Sequence, residues 1–260
     1  MRRALVGRHA ATSASLSHIR RAACVFGFAL AAHSCASAAL ADQIASAKYV
    51  DPTTAYGHGA LKGGEYAALE VTLQSGGKLR LRYENAVFED TAPRLYDLTG
   101  DGAPDLVTVV SDFQRGARVQ LFRLSGEMLQ PFAATAPIGQ AHRWLAIAGI
   151  ADFNGDGLPE IAYIDRPHLA KTLNLISISV DGTTTVLTQL AEVAGLTNHH
   201  FGAAEIEGGV RDCPGQLPVI VTADADWQQI VETRFRDGAL IGTPVGEYTG
   251  AESFADHLSC

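Results

Sequence analysis

Two short acidic segments carry the side chains with the clearest chemistry. In DLTGDGAPD, Asp97, Thr99, Asp101 and Asp105 stand at positions 1, 3, 5 and 9, with Gly102 at position 6. In DFNGDGLPE, Asp152, Asn154, Asp156 and Glu160 hold the same positions, with Gly157 at position 6. Alternate residues of a tightly turning loop can aim their oxygens at one point. Glycine at position 6 permits the turn that brings round the next carbonyl, that of Ala103 or Leu158. Calcium takes about six to eight oxygen ligands, and such hard donors select it over zinc or copper. Three carboxylates crowded into one loop repel one another unless a cation joins them. The plainer alternative is a pair of Asp/Asn/Gly hairpin turns without metal. Recurrence in the same context favours about two calcium sites. The first loop is the weaker, because Thr99 supplies a neutral oxygen where Asp or Asn is usual.

The segments around these loops read as strands. Tyr66–Leu73, Lys78–Tyr83, Asp105–Ser111, Arg118–Leu124, Trp144–Ala151, Glu160–Asp165, Leu173–Val180, Thr184–Leu190, Pro218–Ala223 and Ile230–Phe235 are rich in Val, Ile, Thr and aromatics. Ser75-Gly76-Gly77, Ser125-Gly126, Asp181-Gly182 and Asp237-Gly238 supply hairpin turns between them. Residues 42–56 read as an extended arm, and Leu187–Leu196 is the best helical candidate. Asp152 follows Asp97 by 55 residues, and each loop leads into an apolar run that closes on an aspartate, Asp112 or Asp165. A third copy at Arg211–Asp224 keeps the Leu-Pro, the apolar run and the closing Asp224 but lacks the carboxylates. Repetition at this period predicts strand-turn-strand units covering one another's open faces, as propeller blades do. The expected fold is therefore all-β, a β-propeller-like array of about four blades over residues 42–260.

The segments DLTGDGAPDL and AGIADFNGDGLPEIAYI resemble the repeats called FG-GAP or VCBS, found in integrin α-subunit propellers and bacterial secreted proteins. The resemblance implies calcium in the hairpin joining the first two strands of a blade. It marks Asp97, Thr99, Asp101, Asp105, Asp152, Asn154, Asp156 and Glu160 as ligands. Two sites and about four blades fall short of a seven-bladed array, so integrin-like partner binding does not carry over.

Residues 1–41 read as a cleaved secretory signal. Five arginines precede an apolar run, Cys24–Ala32, and Ala39-Leu40-Ala41 offers small residues for cleavage near Ala41. Cleavage leaves 15 basic against 28 acidic residues, a net charge of −13 without histidine. That balance argues against nucleic acid or an anionic membrane surface as partner. No later stretch is apolar enough to span a bilayer. The expected location is periplasmic or secreted, where Cys213 and Cys260, the cysteines outside the leader, would form one disulfide.

In the blade arrangement, the loops opposite the acidic ones gather the remaining reactive side chains. Arg143, Trp144, Asp165, Arg166, His168, Asn198, His199, Asp224 and Trp227 are the candidates for a binding face. Their plainer reading is structural: Trp144 opening a buried strand, and Asp112, Asp165 and Asp224 capping strand ends. No nucleophile-elbow, zinc-protease or phosphate-loop motif is present. Two functions follow. One is a binding or scaffold module for a protein or glycan of the cell envelope, with calcium structural. The other is an envelope hydrolase or lyase using acid/base groups on that face.

Overall fold

A computed structural model describes residues 42–181 and 184–260. The leader, its cleavage point near Ala41 and Gly182 of the Asp181-Gly182 turn lie outside the described residues. Among those residues the strands form three antiparallel sheets. The first contains β1 (Ile44–Thr53), β2 (Glu65–Leu73), β3 (Lys78–Arg82), β4 (Ala86–Phe88), β5 (Arg94–Tyr96), β6 (Asp105–Asp112), β7 (Gly116–Ser125) and β8 (Met128–Ala134). The second runs β9 (Leu145–Ala151), β10 (Glu160–Asp165), β11 (Thr172–Asp181) and β12 (Thr184–Ala194). The third holds β13 (Leu196–Thr197), β14 (Gly209–Arg211), β15 (Val219–Asp224), β16 (Gln229–Arg236) and β17 (Ala239–Glu247).

The strand after each repeat loop is central to its sheet. β6, β10 and β15 are buried almost end to end, which their unbroken apolar runs require. Outer strands such as β12 alternate instead. Each acidic loop is anchored by its second residue, Leu98 or Phe153, which is buried in the main core. Asp237 and Gly238 both adopt positive φ, 50° and 78°, the backbone a tight Asp-Gly hairpin needs.

Two readings are corrected. Residues 44–53 are not a free arm. They form β1 and pair along β2 from Ile44↔Leu73 to Thr53↔Glu65. Polar side chains hid this strand, whose outer face is exposed. Leu187–Leu196 is not helical, because β12 pairs with β11 along its length and the β-branched Thr184, Thr185, Val186 and Thr188 suit that pairing. The β2–β3 hairpin joins the next repeat through Tyr66↔Phe88.

A strap connects the first and third sheets. Between β1 and β2, Ala60 and Leu61 enter the main core. The Lys62 amide donates to the Ala203 carbonyl at 2.9 Å, and the Gly202 amide to the Ala60 carbonyl at 2.8 Å. At the other end of the chain a 3-10 turn, Ala251–Phe254, runs into a one-turn helix, α1 (Ala255–Leu258). Phe254 buries against Val219, Val221, Ala223 and Ile230. Cys213 and Cys260 are bridged, with Cα atoms 5.6 Å apart. The tail is thus stapled to the degenerate third loop.

Candidate functional sites

The acidic loops are wired alike. Asp97 Oδ1 accepts from the amides of Thr99, Gly100 and Asp101, and Oδ2 from Gly102. Asp152 Oδ1 accepts from Gly155 and Asp156, and Oδ2 from Gly157. Asp101 and Asp156 each accept from the amide two residues on, Ala103 and Leu158. The backbone therefore turns each carboxylate into the loop before any ligand arrives. These amides hold Asp97 below the usual carboxylate range despite its desolvation.

The ninth residues differ in surroundings. Asp105 is buried, and its Oδ2 has no hydrogen-bond partner. Burial raises its pKa to about 6, opposed by the Arg123 guanidinium 3.8 Å away and assisted by Asp101 and Asp97. Glu160 reaches about 7 through burial, with Asp156 and Asp152 adding repulsion. Register explains the contrast. Arg123 follows Phe122, which pairs with Leu106, whereas Ser177 follows Ile176, which pairs with Ile161. The second repeat thus has a neutral residue where the first has a cation. There the Asn154 amide nitrogen bridges Asp156 Oδ2 and Glu160 Oε1 at 2.9 and 2.7 Å. Among the described residues no three His, Cys, Asp or Glu side chains are drawn up as a metal cluster. A cation would have to replace the Asn154 bridge. The donor chemistry fits calcium: hard oxygens, three carboxylates per loop and an orphaned carboxylate oxygen in the first.

The acidic loops and the other candidate residues lie at opposite ends of the strands. Glu160 pairs with Ala151 beside the second loop, and Asp165 with Leu145 at the far end. At about 3.3 Å per residue, β10 separates Glu160 from Asp165 by roughly 16 Å. At that far end a concavity of about 160 Å³ is lined by His58, His142, Arg143, Trp144, Arg166, Pro167, His168, Leu169 and Phe201. All three sheets contribute. His58 comes from the strap, His142–Trp144 from the β8–β9 link, Arg166–Leu169 from the β10–β11 turn and Phe201 from the segment after β13.

Each imidazole in the lining is tied by one nitrogen, and His199 behind it by both. His58 Nδ1 meets the buried Glu89 Oε1 at 2.5 Å, and the Ser111 hydroxyl donates to Glu89 Oε2. His142 Nε2 lies 2.9 Å from the Tyr56 carbonyl, and His199 Nε2 lies 3.2 Å from the Ala203 carbonyl. Carbonyls only accept, so both Nε2 atoms carry protons. His199 Nδ1 is then bare and accepts from His168 Nε2 at 2.9 Å. Burial lowers both His168 and His199 to about 4, and each is further opposed by neighbouring histidines. Trp144 is buried behind them, donating through Nε1 to the Glu89 carbonyl at 2.5 Å with its ring edge-on to His199.

Of the residues singled out in sequence, Arg143, Trp144, Arg166 and His168 line this pocket, with His199 behind. Asp165 is engaged by Arg166 in a two-bond pair of 2.9 and 2.6 Å. Asp112 and Asp224 cap turns by accepting backbone amides. Asn198 is fully buried outside the lining. Trp227 stacks on His200 at 3.7 Å beside Tyr248, in a separate cluster. His58, Glu89 and Tyr56 escaped sequence reasoning. The signal available was a histidine between two glycines, Gly57 and Gly59, both with positive φ.

The histidine tautomers give a pH prediction. In the folded chain His168 and His199 stay neutral to about 4, against an ordinary value of 6.5. Their contribution to stability is complete above 6.5 and is lost as pH falls towards 4. A two-dimensional NMR titration of the imidazoles should show neither ring protonating near 6.5. Normal titration of either would overturn the assignment of His199 Nδ1 as acceptor from His168 Nε2.

The fold and loops define an antiparallel, nearly all-β repeat protein. The family described as FG-GAP-like repeat matches residues 97–163, spanning both acidic loops and the strands between them. No curated protein matches the chain at a significant level. No helix among the described residues is long and apolar enough to cross a membrane.

Proposed function

We propose that this chain is an exported, calcium-binding, propeller-like binding module of the cell envelope, with calcium structural and the histidine pocket as its recognition site. Residues 1–41 serve as the leader, and residues 42–260 form the mature domain in the periplasm or outside the cell. The carrying observation is the shared wiring of the two acidic loops within the FG-GAP-like segment. Asp97, Thr99, Asp101 and Asp105 hold one ion, with the Ala103 carbonyl. Asp152, Asn154, Asp156 and Glu160 hold the other, with the Leu158 carbonyl. The ion supplies charge neutralisation. A radial reading of the sheets is supported by the pocket's lining from all three and by the strap between first and third. The disulfide fits an oxidising compartment.

Melting with excess calcium and with EGTA tests this reading. An ion at about 100-fold its dissociation constant adds roughly 2.7 kcal/mol per site. Asp156→Ala should remove more of the shift than Thr99→Ala. Calcium must also displace a proton from Glu160, whose pKa is about 7, and from Asp105, at about 6. The calcium-induced shift should therefore shrink as pH falls from 8 to 5. Identical melting midpoints with calcium and EGTA at pH 8 would remove calcium from the account.

One observation favours the hydrolase or lyase reading: the imidazole of His58 is backed by the buried Glu89 carboxylate, the pairing that activates a base. No Ser, Thr or Cys lines the pocket, so such a reaction would use acid/base groups alone. Turnover of polysaccharide fragments, lost in His58→Gln, would establish it.

A further inference from the structure

We propose that the histidine pocket recognises a single carboxylate-bearing sugar unit. This rests on the reading of the chain as a binding module and adds the ligand's chemistry. The first argument is charge. The lining holds two arginines and three histidines but no carboxylate. Arg166 is held by Asp165 in a two-bond pair, which leaves Arg143 as the guanidinium open to a ligand. Among the described residues no acid lies within ion-pair range of Arg143, which spends one bond on the His142 carbonyl at 2.7 Å. A guanidinium has five donors arranged as a fork that matches a carboxylate. This basic spot sits in a mature chain of net charge −13. A long polyanion would be repelled by the remaining surface, so the match is to one acidic unit.

The second argument is the wiring of the imidazoles. With Nε2 of His168 donating to His199 inside the protein, its Nδ1 is left to a ligand as a bare acceptor. It calls for a hydroxyl donor, which a plain carboxylate lacks and a sugar acid has. The walls complete the fit. Pro167, Leu169 and Phe201 are apolar, and Leu169 and Phe201 stand 64% and 62% exposed at the rim. Leu169 and Phe201 can cover the C–H face of a sugar ring. The volume, about 160 Å³, is small for a ligand site and suits one ring. His142 and Arg166 are held at φ 54° and 46°, a strained backbone of the kind that persists where a site is built. A transition metal suits the imidazoles but not the two guanidiniums, and the histidines do not cluster around one point.

Calorimetry on the calcium-loaded protein tests the proposal, using a disaccharide ending in glucuronic acid and its glucose-ended counterpart. The acid should bind about 10- to 100-fold more tightly, the range expected for a hydrogen bond to a charged group. Arg143→Gln should abolish that preference while leaving the His168 ring resonances and the melting temperature unchanged. Equal affinity for the two disaccharides overturns the proposal. So does inorganic sulfate binding as well as the sugar acid, or zinc chloride binding in place of either. If neither disaccharide binds while calcium still raises the melting temperature, the sugar inference fails and the calcium-module reading stands.

Discussion

Replacing Trp144 with alanine should cost about 3–5 kcal/mol, the range for a buried Phe or Trp truncated to Ala. At roughly 2–4 °C per kcal/mol for a domain of this size, the melting temperature falls by about 10 °C. Trp144 is 1% exposed and belongs to the main core. Its indole N–H satisfies the Glu89 carbonyl, so truncation leaves both a cavity and an unpaired buried acceptor. Trp144→Phe separates the two effects. It keeps most of the volume and loses the hydrogen bond, so it should cost about 1–3 kcal/mol. Urea unfolding of the three proteins measures both. The loss should also reach the pocket, since the indole is the floor against which His168 and His199 are set. A Trp144→Ala cost below about 1 kcal/mol would mean that the three sheets do not depend on this contact.

Removing the Cys213–Cys260 bridge is the second large effect. The cysteines are 47 residues apart in sequence, and chain-entropy arguments give about 4 kcal/mol for a loop of that length. The local consequence is as specific as the energy. The bridge holds the tail that places Phe254 over β15 and β16, and the Arg211 guanidinium donates to the His257 carbonyl at 2.7 Å and to Glu232 at 2.5 Å. The double variant Cys213→Ser/Cys260→Ser should melt about 8–16 °C lower. Proteolysis should then cut first near residues 248–260. Oxidised protein and double variant melting together would show that packing and the Arg211 contacts hold the tail unaided. An intact mass with both thiols free would remove the bridge itself.

Much of the architecture is local and was therefore legible. The loops are specified by residue type within nine positions, because alternation, a positive-φ glycine and backbone amides act over a few bonds. The Asp-Gly hairpin at 237–238 and the apolar runs of β6, β10 and β15 follow for the same reason, as does the division of loops between strand ends. Strand β1 was not legible, since an outer strand with one solvated face shows little apolar pattern and is defined by its partner β2. β12 read as a strand over Thr184–Leu190, and its second half also stood as a helical candidate, because short amphipathic runs suit either period until pairing decides.

The histidine pocket belongs wholly to the tertiary structure. His58 and His168 are 110 residues apart in the sequence, and nothing local joins them. What brings them together is the strap laid from the first sheet onto the segment after β13. The sequence alone settled the residue chemistry of the acidic loops, whose geometry is held by short-range backbone bonds. Only packing decided which nitrogen of each histidine is bare and which arginine is unpaired. Those depend on carbonyls and carboxylates delivered from distant strands, such as Glu89 and Ala203.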